Sequence, residues 1–511
     1  MSPPTPTPTE CELRRHTFSS IALTVSSSRC VWTPAAGQYH RLDRERRTIR
    51  GVLVLRAVQT GVSDANVLLV VLDCVRARNT SLHGYRRKTT PVLEEFAESA
   101  TTYTQARSPA GWSLPSHASI LTGVSPAEHQ MQITDRLEAG HTVFEDLSEQ
   151  GYETAVFSEN PYLTVHESNL RTAFDEVVTE TDNETRGADG DDESVTVDGF
   201  WYADRFAEWL GDREDSWAAC INLMDAHTPY ETRAEYDDWR DEFATAIHEQ
   251  LPFKWRWGVY GGSVPPTVVY PLRRLYDGAV KQADAAFGRV LEALEADGAL
   301  DETLVVVTAD HGDGFAEPTA VEGDPMPLMH GMGTHEVVYH VPLLVKAPGQ
   351  TESSRITSLS DLSRFPAVVE TAQSSDESAD PGWFTAEDGR VVTYQAPPNA
   401  QEAEKARRFT DDPDRFLQEM SIVYTDGPGN SVYKHASWGG ASYAAQVSGT
   451  TAEAVSPDAD GVCSTPPLEV ARGVAAAGTA QISVPLEEGE DELDKYDNDD
   501  ELEDIDVTQR L

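Results

Sequence analysis

The stretch NVLLVVLD at 66–73 constrains this chain more than any other. An uninterrupted apolar run of that length, rich in β-branched residues, suits a strand covered on both faces. Runs of the same kind recur at 153–158 (ETAVFS), 217–224 (WAACINLM), 303–309 (TLVVVTA) and 341–346 (VPLLVK). Between them lie helical patterns: PVLEEFAESA from 91, HTVFEDLSEQG from 141, DGFWYADRFAEWL from 198, and LRRLYDGAVKQADAAFGRVLEALEADG from 272, which closes on Gly298 as a C-cap. Strands alternating with helices predict an α/β fold, a mainly parallel sheet with helices on both faces.

Other segments flank that core, which is expected over 63–380. Residues 1–62 are Pro/Thr-rich and then Arg-rich (RLDRERRTIR, 41–50) and are expected to be a flexible or non-native basic extension. From 381 to 475 short alternating strands with Gly/Pro turns (RVVTYQAP, SIVYTDGPGNSVYKHASWGG) predict a small antiparallel α+β subdomain. Residues 476–511, with LEEGEDELDKYDNDDELEDIDVTQRL from 486, are expected to form a disordered acidic tail. TETDNETRGADGDDES, from 179, reads as a mobile acidic loop. In PFKWRWGVYGG, from 252, core packing is the better reading of Trp255, Trp257 and Tyr260, and stacking on a sugar ring the other.

Charge narrows the partners. The chain has 86 acidic and 40 basic residues, a net of −46. Nucleic acid is excluded as a partner for most of this surface, because it would approach against a repulsive field. Acid on this scale with only seven lysines fits a salt-loaded, halophilic cytoplasm, where screening shortens to about 3 Å at 1 M and tames self-repulsion. Five cysteines (Cys11, Cys30, Cys74, Cys220 and Cys463) are odd in number and lack CxxC pairing, which favours a reducing compartment. No apolar run reaches the roughly 18–20 residues needed to span a bilayer. Arg14-Arg15 before IALTV has the order of a twin-arginine signal, but the apolar part falls short of the roughly 7–15 residues expected. A cytoplasmic location is therefore expected; oligomeric state is not encoded legibly.

Ligands of open α/β sheets bind beyond the carboxyl ends of the strands. There this chain places Asp73 after the first run, Asp225 and His227 in DAHTPY, Asp310-His311-Gly312 after TLVVVTA, and His330 and His335 in HGMGTHE ahead of the last run. Singly, such residues are turn formers or solvated imidazoles; together they suit a divalent cation held by oxygen and nitrogen. GWSLPSHASILTG at 111–123 adds a hydroxyl at a helix start, with Pro115 in the first turn. Ser113 is then either an N-cap worth about 1 kcal/mol or a nucleophile in the positive field of the helix N-terminus.

NVLLVVLDCVRARNTSLHGY, WSLPSHASILTG, MDAHTPY, LYDGAVKQADAAFGRVLEALEADGALDETLVVVTADHGDGFAE and HGMGTHEVVYHVPLLVKAPG resemble, in order and spacing, the sulfatases of the alkaline phosphatase superfamily over about 65–370. The resemblance implies a three-layer alkaline-phosphatase-like sandwich and a sulfate ester of a small molecule or glycan as substrate. It implies Asp73, Asp310 and His311 as ligands of one divalent ion (calcium, manganese or zinc), and Ser113 at the position sulfatases oxidise to formylglycine. It further implies His227 as a contact to the transferred group or leaving oxygen, His330 or His335 in place of a lysine, and Arg76 as support for the nucleophile or the anion. Three departures stand out. Cys74 replaces the second of two adjacent aspartates. His311 replaces an asparagine, as in phosphonate and phosphate ester hydrolases of the superfamily, and its imidazole favours manganese or zinc. His117 replaces the arginine of the modification signature, so an unmodified Ser113 suited to phosphoryl transfer stands beside formylglycine as the nucleophile. A phosphodiesterase or phosphomonoesterase is therefore the alternative enzyme, and a non-catalytic binding protein with a degenerate site is the alternative of another class.

Overall fold

A computed structural model describes residues 65–180, 198–251, 256–318, 326–374, 382–438, 441–478 and 482–485. The 1–62 extension, most of the acidic 179–194 loop, Trp255 and the chain from 486 lie outside the described residues.

The main sheet has eight strands: β1 Asn66–Leu72, β2 Thr101–Arg107, β3 Glu153–Phe157, β4 Glu176–Val178, β5 Trp217–Leu223, β6 Thr303–Thr308, β7 Leu343–Lys346 and β8 Ser354–Asp361. They are ordered β8-β2-β7-β6-β1-β5-β3-β4. β1 sits at the centre, paired in parallel with β5 and β6 and buried along nearly all its length, as its apolar sequence requires. All pairings are parallel except those of β7, which runs antiparallel between β2 and β6. β7 is therefore turned round, and its first residue, Leu343, lies opposite Thr308, the last of β6. The loop leading into β7 thus reaches the rim where the other strands end.

The helices form where the periodicity places them. Val143–Gln150 opens with a capping box between Thr142 and Glu145. Gly199–Leu210 is capped by the Asp198 side chain. Arg273–Asp297 ends on Gly298, whose φ of +84° needs no Cβ and lets its N–H reach the Leu294 and Glu295 carbonyls.

A second sheet is an antiparallel meander of β9 Arg390–Gln395, β10 Met420–Asp426, β11 Ser431–Trp438, β12 Ala441–Ser448 and β13 Thr451–Val455. Its apolar face joins Trp257, Met332 and Val337–Tyr339 in one cluster, so it packs on the loop ahead of β7. Trp257 is fully buried there, which fits core packing. Past the expected boundary at 475, a helix runs over Pro467–Ala477 and Ser483–Pro485 pairs with Asp135–Leu137. No helix among the described residues is long and apolar enough to cross a membrane.

Candidate metal centre

Asp73 follows β1 directly and anchors there, its N–H donating to the Leu223 carbonyl at 2.9 Å. Its carboxylate is fully buried; Oδ2 accepts from the Asn160 amide at 2.9 Å and the Asn222 amide at 3.2 Å, while Oδ1 has no hydrogen-bond partner. Asp310, beyond β6, repeats the pattern. Oδ1 accepts from the N–H of His311 at 2.8 Å and of Cys74 at 3.3 Å, and buried Oδ2 has no hydrogen-bond partner, lying 3.2 Å from His311 Nε2.

His311 is fixed by an Nδ1–H bond to the Gly312 carbonyl at 3.1 Å, which leaves the Nε2 lone pair facing the centre. Burial, and then the neighbouring His330, push its pKa down to about 3, so the ring is neutral. Gly312 itself admits no side chain, because a Cβ would lie 2.0 Å from the Val337 carbonyl oxygen and 2.7 Å from Arg76 Cβ.

Ser113 is the first residue of the helix Ser113–Thr122, not its N-cap; Trp112 holds that position and makes no side-chain cap bond. Ser113 is 6 % exposed, and its hydroxyl sits 3.2 Å from His311 Nε2. The capping explanation of this serine therefore falls away. His117, one turn on, donates from Nδ1 to the Ser113 carbonyl at 2.9 Å and accepts from the Asn222 amide on Nε2 at 3.5 Å. It fixes the backbone that carries the hydroxyl.

His330, in the loop ahead of β7, packs its ring 4.6 Å from that of His311 and 5.3 Å from that of His227. His335 instead caps the short helix Glu336–Tyr339, accepting from the Val337 N–H at 3.2 Å. Of the two candidates, the fold brings His330 to the centre. Arg76 is also turned elsewhere. It makes a buried ion pair with Glu317 at 2.6 Å, donates to the Asp313 carbonyl at 2.6 Å and lies over the Tyr276 and Phe315 rings.

Two groups of potential ligands emerge. One atom each of Asp73, Cys74 and His311 lie within 4.8 Å of one another, and the same holds for Cys74, His227 and His330. Asp310 joins the first group through its contact with His311. A divalent cation fits this donor set: two buried carboxylates each leave an oxygen without a hydrogen bond, the adjacent imidazole is neutral, and the nearby guanidinium of Arg76 is engaged by Glu317. Buried carboxylates without a counter-charge cost several kcal/mol.

Reading strand ends missed Asp313, Asn160, Asn222 and Cys74 as parts of the site. The signals were present. Asp313 closes the TADHGD stretch, Asn160 lies two residues beyond the ETAVFS run, and Asn222 is a lone amide inside an otherwise apolar strand. Asp313 is buried, accepting from the Tyr230 hydroxyl at 2.6 Å and facing His330 Nδ1 at 3.4 Å. Burial raises its pKa, but His330 and Tyr230 outweigh that and hold it below the usual carboxylate range.

Residues 65–374 match the family model described as Sulfatase. Choline-sulfatase of Rhizobium meliloti is 25% identical over 177 residues, which are 32% of this chain and 33% of that protein, so the match spans about a third of the relative's length. Among solved structures, the phosphonate monoester hydrolase of Silicibacter pomeroyi superimposes with a TM-score of 0.56 at 18% identity, covering 81% of this chain and 94% of that one. A 2-O GAG sulfatase superimposes with a TM-score of 0.51 at 16% identity, covering 74% and 85%. At such identities the likeness is one of fold.

Proposed function

Since this chain belongs to the sulfatase family, we propose that it hydrolyses a sulfuric ester at the carboxyl rim of the main sheet, with residue 113 carrying the attacking oxygen. The observation that carries this reading is the 3.2 Å approach of the Ser113 hydroxyl to His311 Nε2, inside a cluster of buried ligand atoms at a helix start. Asp73, Asp310 and His311 would hold a divalent ion, which would supply Lewis acidity for the ester and for the attacking oxygen. The chain's own residues do the positioning. Asn160 and Asn222 orient Asp73, the Gly312 carbonyl orients His311, and His117 holds the helix turn bearing Ser113. An oxygen of residue 113, the serine hydroxyl or one hydroxyl of the formylglycine hydrate, bonds to sulfur as the ester S–O bond breaks, and its proton passes to the ester oxygen, which leaves as the alcohol; sulfate is then released from a sulfated serine by water, or from the sulfated hydrate by elimination that restores the aldehyde. His227 and His330 stand on the Cys74 side of the centre, the side this reading gives to the leaving oxygen.

A phosphate or phosphonate ester is the second reading, favoured by the His311 imidazole in the donor set and by His117, which takes the place of the modification arginine and is locked to the Ser113 carbonyl. Peptide mass spectrometry across residue 113 separates the two. Loss of two hydrogens marks formylglycine and the sulfatase route; unmodified serine that traps phosphate marks the other. Under both, Ser113→Ala lowers kcat by at least about 1,000-fold while stability stays within about 1 kcal/mol. Full turnover in that variant removes Ser113 from either mechanism. A non-catalytic protein is distinguished by dialysis, since a degenerate site retains no stoichiometric divalent ion.

A further inference from the structure

On the side of the centre given above to the leaving oxygen, His227 is also one wall of a pocket. Glu159, Asp198, Asp225 and Glu231 line the same pocket, and among the described residues no lysine, arginine, phenyl, phenol or indole side chain does. We infer that this pocket binds a protonated amine on the leaving alcohol, so that the preferred substrates are esters of small amino alcohols. The inference deepens the hydrolase reading and rests on it for the place of the leaving oxygen.

Pocket and centre share their supports. Glu159 precedes Asn160, whose amide donates to Asp73 Oδ2, and Asp225 lies two residues before His227. The His227 ring stands 5.3 Å from that of His330, so a leaving oxygen on this side has the pocket as its neighbour. Asp225 shows what the pocket lacks. It is 7 % exposed; its Oδ1 is taken by the Gly199 N–H and the Gln282 amide, while its buried Oδ2 has no hydrogen-bond partner. Gly199 keeps the space at that oxygen open, because a Cβ there would lie 2.5 Å from Oδ2. Arg233, which pairs with Asp198, is one positive charge set against four carboxylates.

A buried carboxylate oxygen without a donor is costly. An ammonium group answers that need, since it brings three donors and a full charge in compact form. Size agrees: the pocket holds about 40 Å³, room for about three water-sized groups at roughly 10–15 Å³ each. Two methylenes and an ammonium make three such groups. A quaternary ammonium fits less well, because it has no N–H to offer and is recognised by aromatic faces, which this lining does not supply.

The test compares 2-aminoethyl sulfate with propyl sulfate, in which a methyl replaces the ammonium, on the full metal-loaded chain at about pH 8, where an alkyl amine is protonated. The corresponding phosphate esters are run beside them. The value of kcat/KM is expected to favour the amino ester about 10- to 100-fold, and Asp225→Asn and Glu159→Gln each to cut that preference about 10-fold. Equal kcat/KM for the two esters in the wild type overturns the inference and leaves the hydrolase reading standing. A preference for the N,N,N-trimethyl analogue over the amino ester overturns the assignment to an N–H donor. If no ester is turned over, the hydrolase reading fails, and titration calorimetry decides the pocket alone: 2-aminoethanol is expected to bind saturably to the wild type and 1-propanol not to bind. Absence of saturable heat with 2-aminoethanol overturns the inference, and none of these wild-type measurements depends on a variant folding.

Discussion

Asp225 and Asp73 follow neighbouring strands at the same rim, yet their surroundings send them to different ends. Asp73 turns into the centre. Asp225 turns toward the helix Gly199–Leu210, accepting on Oδ1 from the Gly199 N–H at 3.1 Å and the Gln282 amide at 2.7 Å, with no hydrogen-bond partner on Oδ2. Burial pushes its pKa up to about 6. The folded state therefore binds a proton that the unfolded chain, with an ordinary carboxyl, has released, and this carboxyl lowers stability progressively as pH rises from about 4 to about 6. Asp225→Asn keeps the Oδ1 acceptor and removes the titration. Its stability relative to wild type is expected to improve across that window by up to about 3 kcal/mol and then level off. Chemical denaturation at pH 4, 6 and 8 checks this, and a pH-independent difference contradicts it. Strand-end logic found both aspartates in the sequence but not which way each side chain turns, because that is decided by the helix packed against the rim.

Among the elements, β1, β3, β5 and β6 were legible because their apolar runs leave few alternatives. β2 was not. Its sequence, TTYTQAR, is polar, yet every residue is buried. Arg107 at its end makes a 3.1 Å ion pair with Glu336 and lies over the Tyr424 ring of the second sheet. Such compensation comes from residues more than 200 positions away, which no local pattern announces. Nor does an apolar run carry a direction, so the reversal of β7 was equally hidden. The second sheet has a role beyond closing the core, because it props the loop that presents His330. Gln395, at the end of β9, donates to the Gly331 carbonyl at 2.5 Å, and Arg256, tied to Glu402, donates to the His330 carbonyl at 3.0 Å. Gln395→Ala is expected to lower kcat about 10- to 100-fold while moving stability by no more than about 1 kcal/mol. An unchanged kcat in steady-state assays means the loop holds without that prop. Gly312→Ala is expected to prevent folding to a soluble product, since both atoms a Cβ would meet are fixed by backbone; normal soluble yield contradicts it.

For the molecule as a whole, the net charge of −46 sets the conditions under which these contacts persist. Self-repulsion is screened by salt, so the thermal midpoint is expected to rise steadily from 0.1 M to well above 1 M KCl, with the steepest gain at the low end. A midpoint insensitive to KCl in calorimetry removes the halophilic reading. The reversed strand β7 carries one more consequence, for the order in which the molecule is made. The residues gathered at the centre run from Asp73 to His330, and the last arrives only when β7 has inserted between β2 and β6. A nascent chain on the ribosome has no complete centre until residue 346 has left the exit tunnel. On the function proposed above, metal loading would thus be an event of the finished polypeptide, governed by what the cell offers after synthesis, and not a template on which the fold is built.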